Sequence, residues 1–367
     1  MRIEAAVFRR VGELPAIEVI DLDPPRGDEV LVRIAATGIC GSDMHVLDGT
    51  LPEPMPLVLG HEASGIVEEV GPGEVDLVPG DHVVLSIVPS CGHCSACRAG
   101  RVNLCSTAAK MATTGMLGDG TSRLHAGPEV IHHFNSVSSF ASYAVVPASG
   151  AVRIDPRFDL NVAALLSCAV LTGAGAVFNT AAVPAGASVA VIGCGGVGLS
   201  VIEAAKIAKA SQIVAIDTRP RNLELAMSVG ATHTVDASNQ DARASVHRLL
   251  PGGVDFVFEA VGSAPTIEQA WALTAAGGAT IVVGLAPKGT VVGIDTWGFI
   301  NEKRILGCFM GSARPAVDVP RLAALVDSGE LRVDAMASDK VALAELPSAL
   351  EAVKAGESIR CLVVNEA

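Results

Sequence analysis

The segment from Gly38 to Glu62 gathers side chains that could bind a metal ion and move a proton. Zinc is bound by cysteine and histidine, and a catalytic zinc has three protein ligands and an open fourth position. Cys40 and His61 are candidates for two ligands, and Cys168 is the best distant candidate for the third. Taken singly, each has an ordinary alternative as a buried small residue or a core histidine. The segment also holds Ser42, Asp43, His45 and Glu62.

A second group of cysteines lies close together in the chain, at Cys91, Cys94, Cys97 and Cys105. Four thiolates at this spacing predict a closed tetrahedral zinc site with no open position, and therefore a structural role. A redox pair is the competing interpretation, and chance spacing is the third. His93 lies inside the group, and we interpret it as a solvated loop residue because four sulfurs complete the coordination shell.

The composition limits the possible partners. Half of the 367 residues are apolar and only 3% are aromatic, which favours layers of strands and helices over an aromatic-rich sandwich. The net charge of −13 argues against electrostatic binding of nucleic acid or of an anionic membrane surface. The length predicts two domains.

The N-terminal residues carry charges and no apolar run, so we expect no signal peptide and a cytoplasmic protein. The most apolar stretch, from Ala187 to Ile202, is interrupted by glycines and too short to span a membrane. Nine cysteines in such a protein indicate metal binding or catalysis rather than disulfides.

Short strand-like runs separated by turn residues fill the first 88 residues. Examples are Val30–Ile34, Gly65–Val70 and His82–Leu85. They predict an all-β, barrel-like unit. From Thr107 to Ser142 the sequence predicts a long irregular loop, in which the adjacent histidines His132 and His133 are interpreted as structural rather than as metal ligands.

After Pro184 the pattern changes to alternating strands and helices. A buried strand at residues 188–192 is followed by a glycine-rich turn, a helix from about Leu199 and a second strand that ends at Asp217. This order predicts a dinucleotide-binding fold, in which the glycines admit a pyrophosphate and Asp217 accepts hydrogen bonds from the adenosine ribose. The turn is formed by Gly193, Cys194, Gly195, Gly196, Val197 and Gly198.

The alternation continues and predicts a doubly wound parallel sheet of six strands, so the fold class is α/β. The further strands are predicted at 232–236, 254–259, 279–284 and 305–309, with helices at 265–275, 318–328 and 346–355. The terminal strand Cys361–Val364 is expected to rejoin the first domain. Asp217 favours NAD over NADP, although Arg219 and Arg221 lie close to it.

Over nearly its whole length the sequence resembles the zinc-dependent medium-chain alcohol dehydrogenases, in the long-loop form of the animal liver and plant enzymes. The resemblance is carried by Gly38–Asp43, Gly60–Glu62, Pro79–Asp81, the four-cysteine group, Asp119–Arg123, His132–Phe134, Gly193–Gly198 and Gly356–Arg360.

The resemblance implies a GroES-like catalytic domain at residues 1–170 and 311–367 and an NAD-binding domain at 171–310. It implies a catalytic zinc on Cys40, His61 and Cys168, with Asp43 hydrogen-bonded to His61 and Glu62 behind the metal. Ser42 would pass the alcohol proton through the nicotinamide ribose to His45. The remaining implied roles are cofactor contacts by Thr172 and Arg360, the latter to the pyrophosphate, and a homodimer.

Three departures from the family pattern affect the expected activity. Gly41 stands where many relatives carry a basic residue, so one cofactor phosphate contact is expected to be missing and NAD to leave faster. Leu51 and Ala109 stand where the formaldehyde-oxidising branch has charged residues, which disfavours a charged thiol adduct. Ile87 replaces an aromatic residue and, with Phe134 and Leu51, predicts a roomy apolar substrate pocket.

We therefore expect an NAD-dependent zinc alcohol dehydrogenase with two zinc ions per chain, acting on an apolar primary or secondary alcohol. One alternative is a formaldehyde or thiol-adduct dehydrogenase. The other is a zinc-stapled dinucleotide-binding protein without dehydrogenase activity, which would have no need of an open metal position or a proton relay.

Overall fold

The computed structural model describes residues 1–336, 339–357 and 360–365, and in it the chain divides into two units. The first unit comprises Met1–Cys168, Arg314–Ala324 and Ala337–Ala367. The second comprises Ala169–Ala313 and Leu325–Met336.

The first unit contains a closed barrel of five strands and a seven-stranded sheet. The barrel order is β1-β2-β7-β8-β4, and the sheet order is β10-β6-β5-β3-β18-β17 with β9 paired to β3. The strands are β1 (Arg2–Phe8), β2 (Ala16–Leu22), β3 (Glu29–Gly38), β4 (Leu57–Val58), β5 (Glu62–Val70), β6 (His82–Leu85), β7 (Leu124–Ala126), β8 (Glu129–His133), β9 (Tyr143–Pro147), β10 (Ala151–Arg153), β17 (Asp339–Val341) and β18 (Cys361–Val364).

Short helices connect these strands and place the candidate site residues at their ends. The helices are α1 (Gly41–Leu47), α2 (Ser95–Arg98), α3 (Ser106–Thr114), α4 (Leu160–Leu165) and α12 (Leu346–Ala355). The terminal strand β18 pairs antiparallel with β3, as Leu362 opposite Gly38 shows. The expectation that Cys361–Val364 returns to the first domain is therefore met by the strand pairing.

The second unit is a parallel six-stranded sheet in the order β13-β12-β11-β14-β15-β16. The strands are β11 (Ser188–Ile192), β12 (Gln212–Asp217), β13 (His233–Asp236), β14 (Val254–Glu259), β15 (Thr274–Val282) and β16 (Arg304–Gly307). Its helices are α5 (Ala169–Gly175), α6 (Gly196–Ile207), α7 (Pro220–Val229), α8 (Ala242–Leu249), α9 (Ala264–Leu273) and α10 (Trp297–Ile300). The next helix, α11 (Pro315–Asp327), belongs mostly to the first unit. The predicted doubly wound sheet is confirmed.

The prediction of an irregular loop at residues 107–142 was wrong. This segment contains most of α3 and the strands β7 and β8, which complete the closed barrel. The predicted strands at 30–34, 65–70 and 82–85 belong instead to the seven-stranded sheet. The error has a physical reason. β7 and β8 are short and contain few apolar residues, so they show no clear strand periodicity that would distinguish them from a polar loop.

The apolar cores follow this division into layers. One cluster fills the barrel and includes Phe8, Leu57 and Phe140, and another lies on the seven-stranded sheet around Val32 and Leu85. A further cluster packs on the parallel sheet. No helix within residues 1–336, 339–357 and 360–365 is long and apolar enough to cross a membrane.

Candidate metal centre and cofactor site

The structure brings Cys40, His61 and Cys168 together although they are distant in the chain. Their ligand atoms all lie within 4.8 Å of one another, and the three residues are 6%, 1% and 7% exposed. Cys40 directly precedes α1, His61 directly precedes β5, and Cys168 follows α4. Element ends from three parts of the first unit therefore meet at one buried point.

Asp43 holds two of these segments in place. Its Oδ1 accepts hydrogen bonds from His61 Nδ1 at 3.2 Å and from the Gly60 amide at 3.2 Å. Its Oδ2 accepts one from the Cys40 amide at 2.9 Å. Asp43 is fully buried, and as a carboxylate it can only accept, so Nδ1 of His61 carries the proton and Nε2 keeps its lone pair for a metal.

The two thiols of the cluster are electrostatically unequal. A hydrogen bond from Cys168 lowers the pKa of the Cys40 thiol well below its usual range, and the charge of Arg360 acts in the same direction. The thiolate on Cys40 and burial together raise the pKa of Cys168 well above its usual range. Thiolate is the form that binds zinc, so the site already favours one charged ligand before a cation binds.

Behind the cluster lies a buried ion pair between Glu62 and Arg360. Arg360 Nη2 donates to Glu62 Oε1 at 2.5 Å, and its Nη1 donates to the Ile39 carbonyl at 3.2 Å. Space for the Glu62 carboxylate comes from Gly38, where a Cβ would collide with Glu62 Oε2. Glu62 is therefore fully buried next to the ligand His61 in the chain, and Arg360 is only 5% exposed; the place of Glu62 behind a metal stays a prediction.

Ser42 and His45 both lie on α1 and are three residues apart, so they share one helix face. Ser42 Oγ lies 4.0 Å from Cys40 Sγ, next to the ligand cluster. Nδ1 of His45 is buried, and it has no hydrogen-bond partner within the described residues. Ser42 therefore borders the ligand cluster, and His45 lies on the same face of α1.

The predicted pocket residues do not form a single cluster. Phe134 is fully buried and stands edge-on against the His61 ring, with 5.3 Å between centroids. Leu51 packs against the same barrel cluster, whereas Ile87 packs against the cluster on the seven-stranded sheet. Phe134 thus packs directly against His61, one of the three residues of the buried cluster.

The four-cysteine group is a second potential metal site. Sγ atoms of Cys91, Cys94, Cys97 and Cys105 lie within 4.8 Å of one another. Backbone amides of this loop donate to sulfur, from Cys94 to Cys91 and from Cys97 to Cys94, each at 3.4 Å. The hydrogen bond from the Cys97 amide is the largest cause that lowers the pKa of Cys94 to about 5, so the loop stabilises a thiolate at that position.

Both clusters fit zinc by their donor chemistry. Four sulfurs close one coordination shell, and two sulfurs with one imidazole nitrogen leave a position open in the other. The adjacent His132 and His133 belong to neither cluster: His132 Nδ1 donates to the Pro56 carbonyl, and His133 Nε2 accepts from the Arg123 amide at 3.1 Å. Both imidazoles are engaged with backbone groups.

In the second unit the glycine turn lies between β11 and α6, at the carboxyl end of the sheet. Gly193 has a left-handed φ of 90°, and a Cβ on Gly198 would collide with the Gly193 carbonyl. Asp217 Oδ2 accepts from the Cys194 amide at 2.7 Å, which fixes the acid beside the turn. The backbone is therefore shaped for close approach of a phosphate, with a carboxylate at the ribose position.

The Cys194 thiol is fully buried, and burial followed by the Asp217 charge raises its pKa far above its usual range. It therefore stays protonated and unreactive. Thr172 is buried in α5, where its hydroxyl donates to Met310 Sδ at 3.6 Å. Ser358 and Ile359, within the predicted cofactor motif ending at Arg360, lie outside the described residues.

Comparison with known proteins agrees with this geometry. Residues 26–156 match the family described as "Alcohol dehydrogenase GroES-like domain", and residues 196–328 match "Zinc-binding dehydrogenase". The chain belongs to the zinc-dependent medium-chain alcohol dehydrogenase family, and it is an enzyme of the zinc-dependent alcohol dehydrogenase type.

Three relatives illustrate the likeness. An S-(hydroxymethyl)glutathione dehydrogenase of Synechocystis sp. is 35% identical, over 99% of this chain and 100% of the relative. Solved structures of an alcohol dehydrogenase zinc-binding domain protein from Burkholderia ambifaria and of benzyl alcohol dehydrogenase from Acinetobacter calcoaceticus are 35% and 34% identical. Each covers 100% of both chains, with TM-scores of 0.96 and 0.95.

Sequence reasoning missed several parts of the site. It did not find the bonds from the Cys40 and Gly60 amides to Asp43, or the ion pair of Arg360 with Glu62. It also missed the ion pair of the fully buried Arg123 with Glu29, although Arg123 lies in a segment that carries the family resemblance. All of these partners except Cys40 and Asp43 are distant in sequence, so no local pattern indicates the contacts.

Proposed function

We propose that this chain oxidises apolar primary or secondary alcohols to aldehydes or ketones with NAD, through a zinc ion held by Cys40, His61 and Cys168. The observation that carries the proposal is the buried three-donor cluster, in which Asp43 fixes the protonation of His61. Zinc, when bound, supplies a Lewis acid that makes the alcohol hydroxyl more acidic, and NAD supplies the hydride acceptor.

The chain's own groups then bind, orient and move the proton. Asp43 holds the His61 ring and the Cys40 backbone, so two ligands keep their positions without solvent contact. Ser42, which lies beside the cluster, takes the proton from the hydroxyl oxygen, and hydride leaves the carbon that bears this oxygen. His45, further along the same helix face, is placed to receive it and release it outward.

The four-cysteine group is proposed as the structural zinc site, since its four sulfurs leave no open position. We propose that the second unit binds NAD through Gly193–Gly198 and Asp217, with Thr172 of the same unit as a further contact. Arg360 lies in the first unit, where it pairs with Glu62, and its expected contact with the pyrophosphate stays a prediction. Asp217 supports NAD over NADP, because its carboxylate is fixed beside the glycine turn and would repel a 2′-phosphate.

An apolar substrate is supported by Leu51, an uncharged and partly buried side chain that packs against the barrel cluster. The benzyl alcohol dehydrogenase relative agrees with such a substrate. The second candidate is S-(hydroxymethyl)glutathione, favoured by the printed name of the Synechocystis relative. Leu51 and Ala109 argue against it, because neither carries a charge for a glutathione carboxylate.

A homodimer is proposed on one feature of the second unit. Large apolar side chains are exposed between residues 285 and 309, most of all Val291 at 85%, Ile300 at 69% and Trp297 at 66%. The same stretch contains β16, which ends the order of the six-stranded sheet. Such a surface on one protein favours burial against another copy. The expected cytoplasmic location stays a prediction.

The substrate assignment is tested by following NADH absorbance in a panel of alcohols and carbonyls. Benzyl alcohol and a long-chain primary alcohol should turn over faster than formaldehyde mixed with glutathione. The reverse order would replace the proposal with the second candidate. Absence of turnover with every substrate, together with one zinc per chain by metal analysis, would favour a non-catalytic dinucleotide-binding protein.

A further inference from the structure

A buried carboxylate occupies the carboxyl end of the central strand β14. Glu259 is fully buried and is the last residue of that strand, where it lies opposite Ile192 of β11. The chain builds the sheet outward from β11 to β13 on one side and from β14 to β16 on the other. The strand order therefore reverses between β11 and β14, which is where open α/β sheets bind their ligands.

One oxygen of Glu259 holds the turn that follows the strand. Oε1 accepts hydrogen bonds from the Val261 amide at 2.9 Å, the Gly262 amide at 2.7 Å and the Thr266 hydroxyl at 2.8 Å. Oε2 is buried without a hydrogen-bond partner in the part of the chain that the structure describes. A buried carboxylate is costly, so three converging donors on one oxygen indicate a defined task for it.

The turn that Glu259 holds is packed tightly between two other loops. A Cβ on Gly193 would lie 2.7 Å from Val261 Cγ2, so this turn borders the glycine turn directly. A Cβ on Gly262 would collide with the Leu285 backbone on the other side. Any shift of the turn would therefore be transmitted to the glycine turn, because close-packed backbone has no room to absorb it.

The backbone of Glu259 adds to this arrangement. Its carbonyl accepts from the Val283 amide at 2.8 Å and from the Gly284 amide at 2.9 Å, which fixes the loop after β15. The Ala260 amide donates to the Ile192 carbonyl at 2.8 Å, directly before Gly193. One residue thus connects the loops that follow β11, β14 and β15.

We propose that Glu259 is a positioning residue for the dinucleotide: its carboxylate fixes the Val261–Gly262 turn against Gly193 and so keeps the phosphate-binding turn in its binding shape. This inference rests on the proposed binding of NAD to the second unit. The role depends on hydrogen-bond acceptance by Oε1 and not on the charge, since the three donors converge on that one atom.

The test uses the zinc-loaded full chain and NADH as the probe, with the dissociation constant measured by NADH fluorescence. Glu259→Ala removes the acceptor and should raise the dissociation constant by about 10-fold to 100-fold, as small misplacements of a binding element do. The KM for NAD should rise by a similar factor, with a smaller change in kcat. Glu259→Gln keeps an acceptor oxygen and should restore binding to within about threefold of the unmodified chain.

Asp255→Ala is the matched control. Asp255 lies near the other end of the same strand, where Oδ2 accepts from the Ser188 amide and hydroxyl at 2.8 and 2.7 Å. It should change the melting temperature without changing NADH affinity. Thr266→Val removes only one of the three donors and should weaken NADH binding by about threefold. It tests the same proposal if Glu259→Ala does not fold.

Equal NADH affinity in Glu259→Ala, Thr266→Val and the unmodified chain would overturn the proposal. Equal weakening in Asp255→Ala and Glu259→Ala would also overturn it, because the effect would then be general destabilisation. Failure of the unmodified chain to bind NADH is a different result, and it would count against the proposed cofactor rather than against Glu259 alone.

Discussion

The two cysteine sites of the first unit are built in opposite ways. Cys91, Cys94, Cys97 and Cys105 lie within residues 91–105, and the loop's own amides donate to their sulfurs. The other cluster takes ligands from residue 40 to residue 168 and buries all three. A closed site can thus be encoded by one local segment, whereas an open site needs surrounding structure to hold ligands that the metal alone does not enclose.

The largest effect that separates the two sites is expected from Cys168→Ser. This change removes one ligand of the open site, so the zinc content should fall from two to one per chain. The rate of alcohol oxidation should fall by more than about 1,000-fold, since the Lewis acid is lost. Both are measured on the purified chain by metal analysis and NADH formation.

Cys361→Ser is the control for that experiment, because Cys361 is equally buried in the same unit but lies in β18, outside the ligand cluster. It should keep both zinc ions. Two zinc ions and an undiminished rate in Cys168→Ser would show that Cys168 is not a ligand.

Cys94→Ser, which removes one ligand of the four-cysteine site, should lower the stability of the folded chain rather than its catalytic rate. The local loop has little apolar core of its own, and α2 within it has no buried residue. Loss of its metal should lower the free energy of unfolding by about 4 kcal/mol, with one zinc lost and the rate per remaining zinc unchanged. Urea unfolding with metal analysis measures this; a stable chain without activity would reverse the roles of the two sites.

The same contrast determines how much the sequence predicts. The four-cysteine spacing and the alternation around Gly193 are local signals, and the strands predicted at residues 188–192 and 254–259 lie where expected. Cys168 was named from the residues only as the best distant candidate for the third ligand, and the family resemblance then implied it, because no local pattern connects it to Cys40. The barrel closure by β7 and β8 and the Arg360–Glu62 pair are long-range contacts, which composition and periodicity do not reveal. The bonds to the Glu259 carboxylate are local, but they are made by side-chain geometry that no periodicity indicates.

A smaller effect is expected from Asp43→Asn, which tests the support of the open site. The amide keeps the size of the side chain but brings an N–H group towards three donors, so at least one of the bonds from Cys40, Gly60 and His61 must break. Zinc affinity of this site should fall by about 10-fold to 100-fold, measured by chelator competition. Asp48→Asn on the exposed end of α1 is the control, and equal affinity in both variants would remove Asp43 from this role.

The stability of the chain should depend on pH through His133, which directly precedes Phe134. Burial, followed by the Arg123 charge, lowers the pKa of His133 to about 3, so the folded chain keeps it neutral while the unfolded chain takes up a proton below about pH 6.5. As the pH falls from about 6 to about 4, the titration of His133 should therefore lower the free energy of unfolding by about 1.4 kcal/mol per pH unit.

His133→Gln removes this titration, so its unfolding free energy should depend less on pH in that range, measured by urea unfolding at pH 7, 6 and 5. Between pH 7 and 8 the two chains should differ by a constant amount, because neither the folded nor the unfolded imidazole changes charge there. The same slope in both chains below pH 6 would rule out His133 as the source.

The smallest expected effect concerns Gly41, which lies next to the ligand Cys40 and opens α1. It is exposed, and a Cβ there would meet no atom within 4 Å, so an arginine can be placed without strain. An arginine at this position is expected to add one charge-assisted hydrogen bond to a cofactor phosphate. Gly41→Arg should therefore lower the KM for NAD by about 3-fold to 10-fold. Slower release of NADH should at the same time lower kcat. Gly41→Gln has similar reach without the charge and should change the KM little. An unchanged KM for NAD in Gly41→Arg would show that a positive charge at this position does not contribute to cofactor binding.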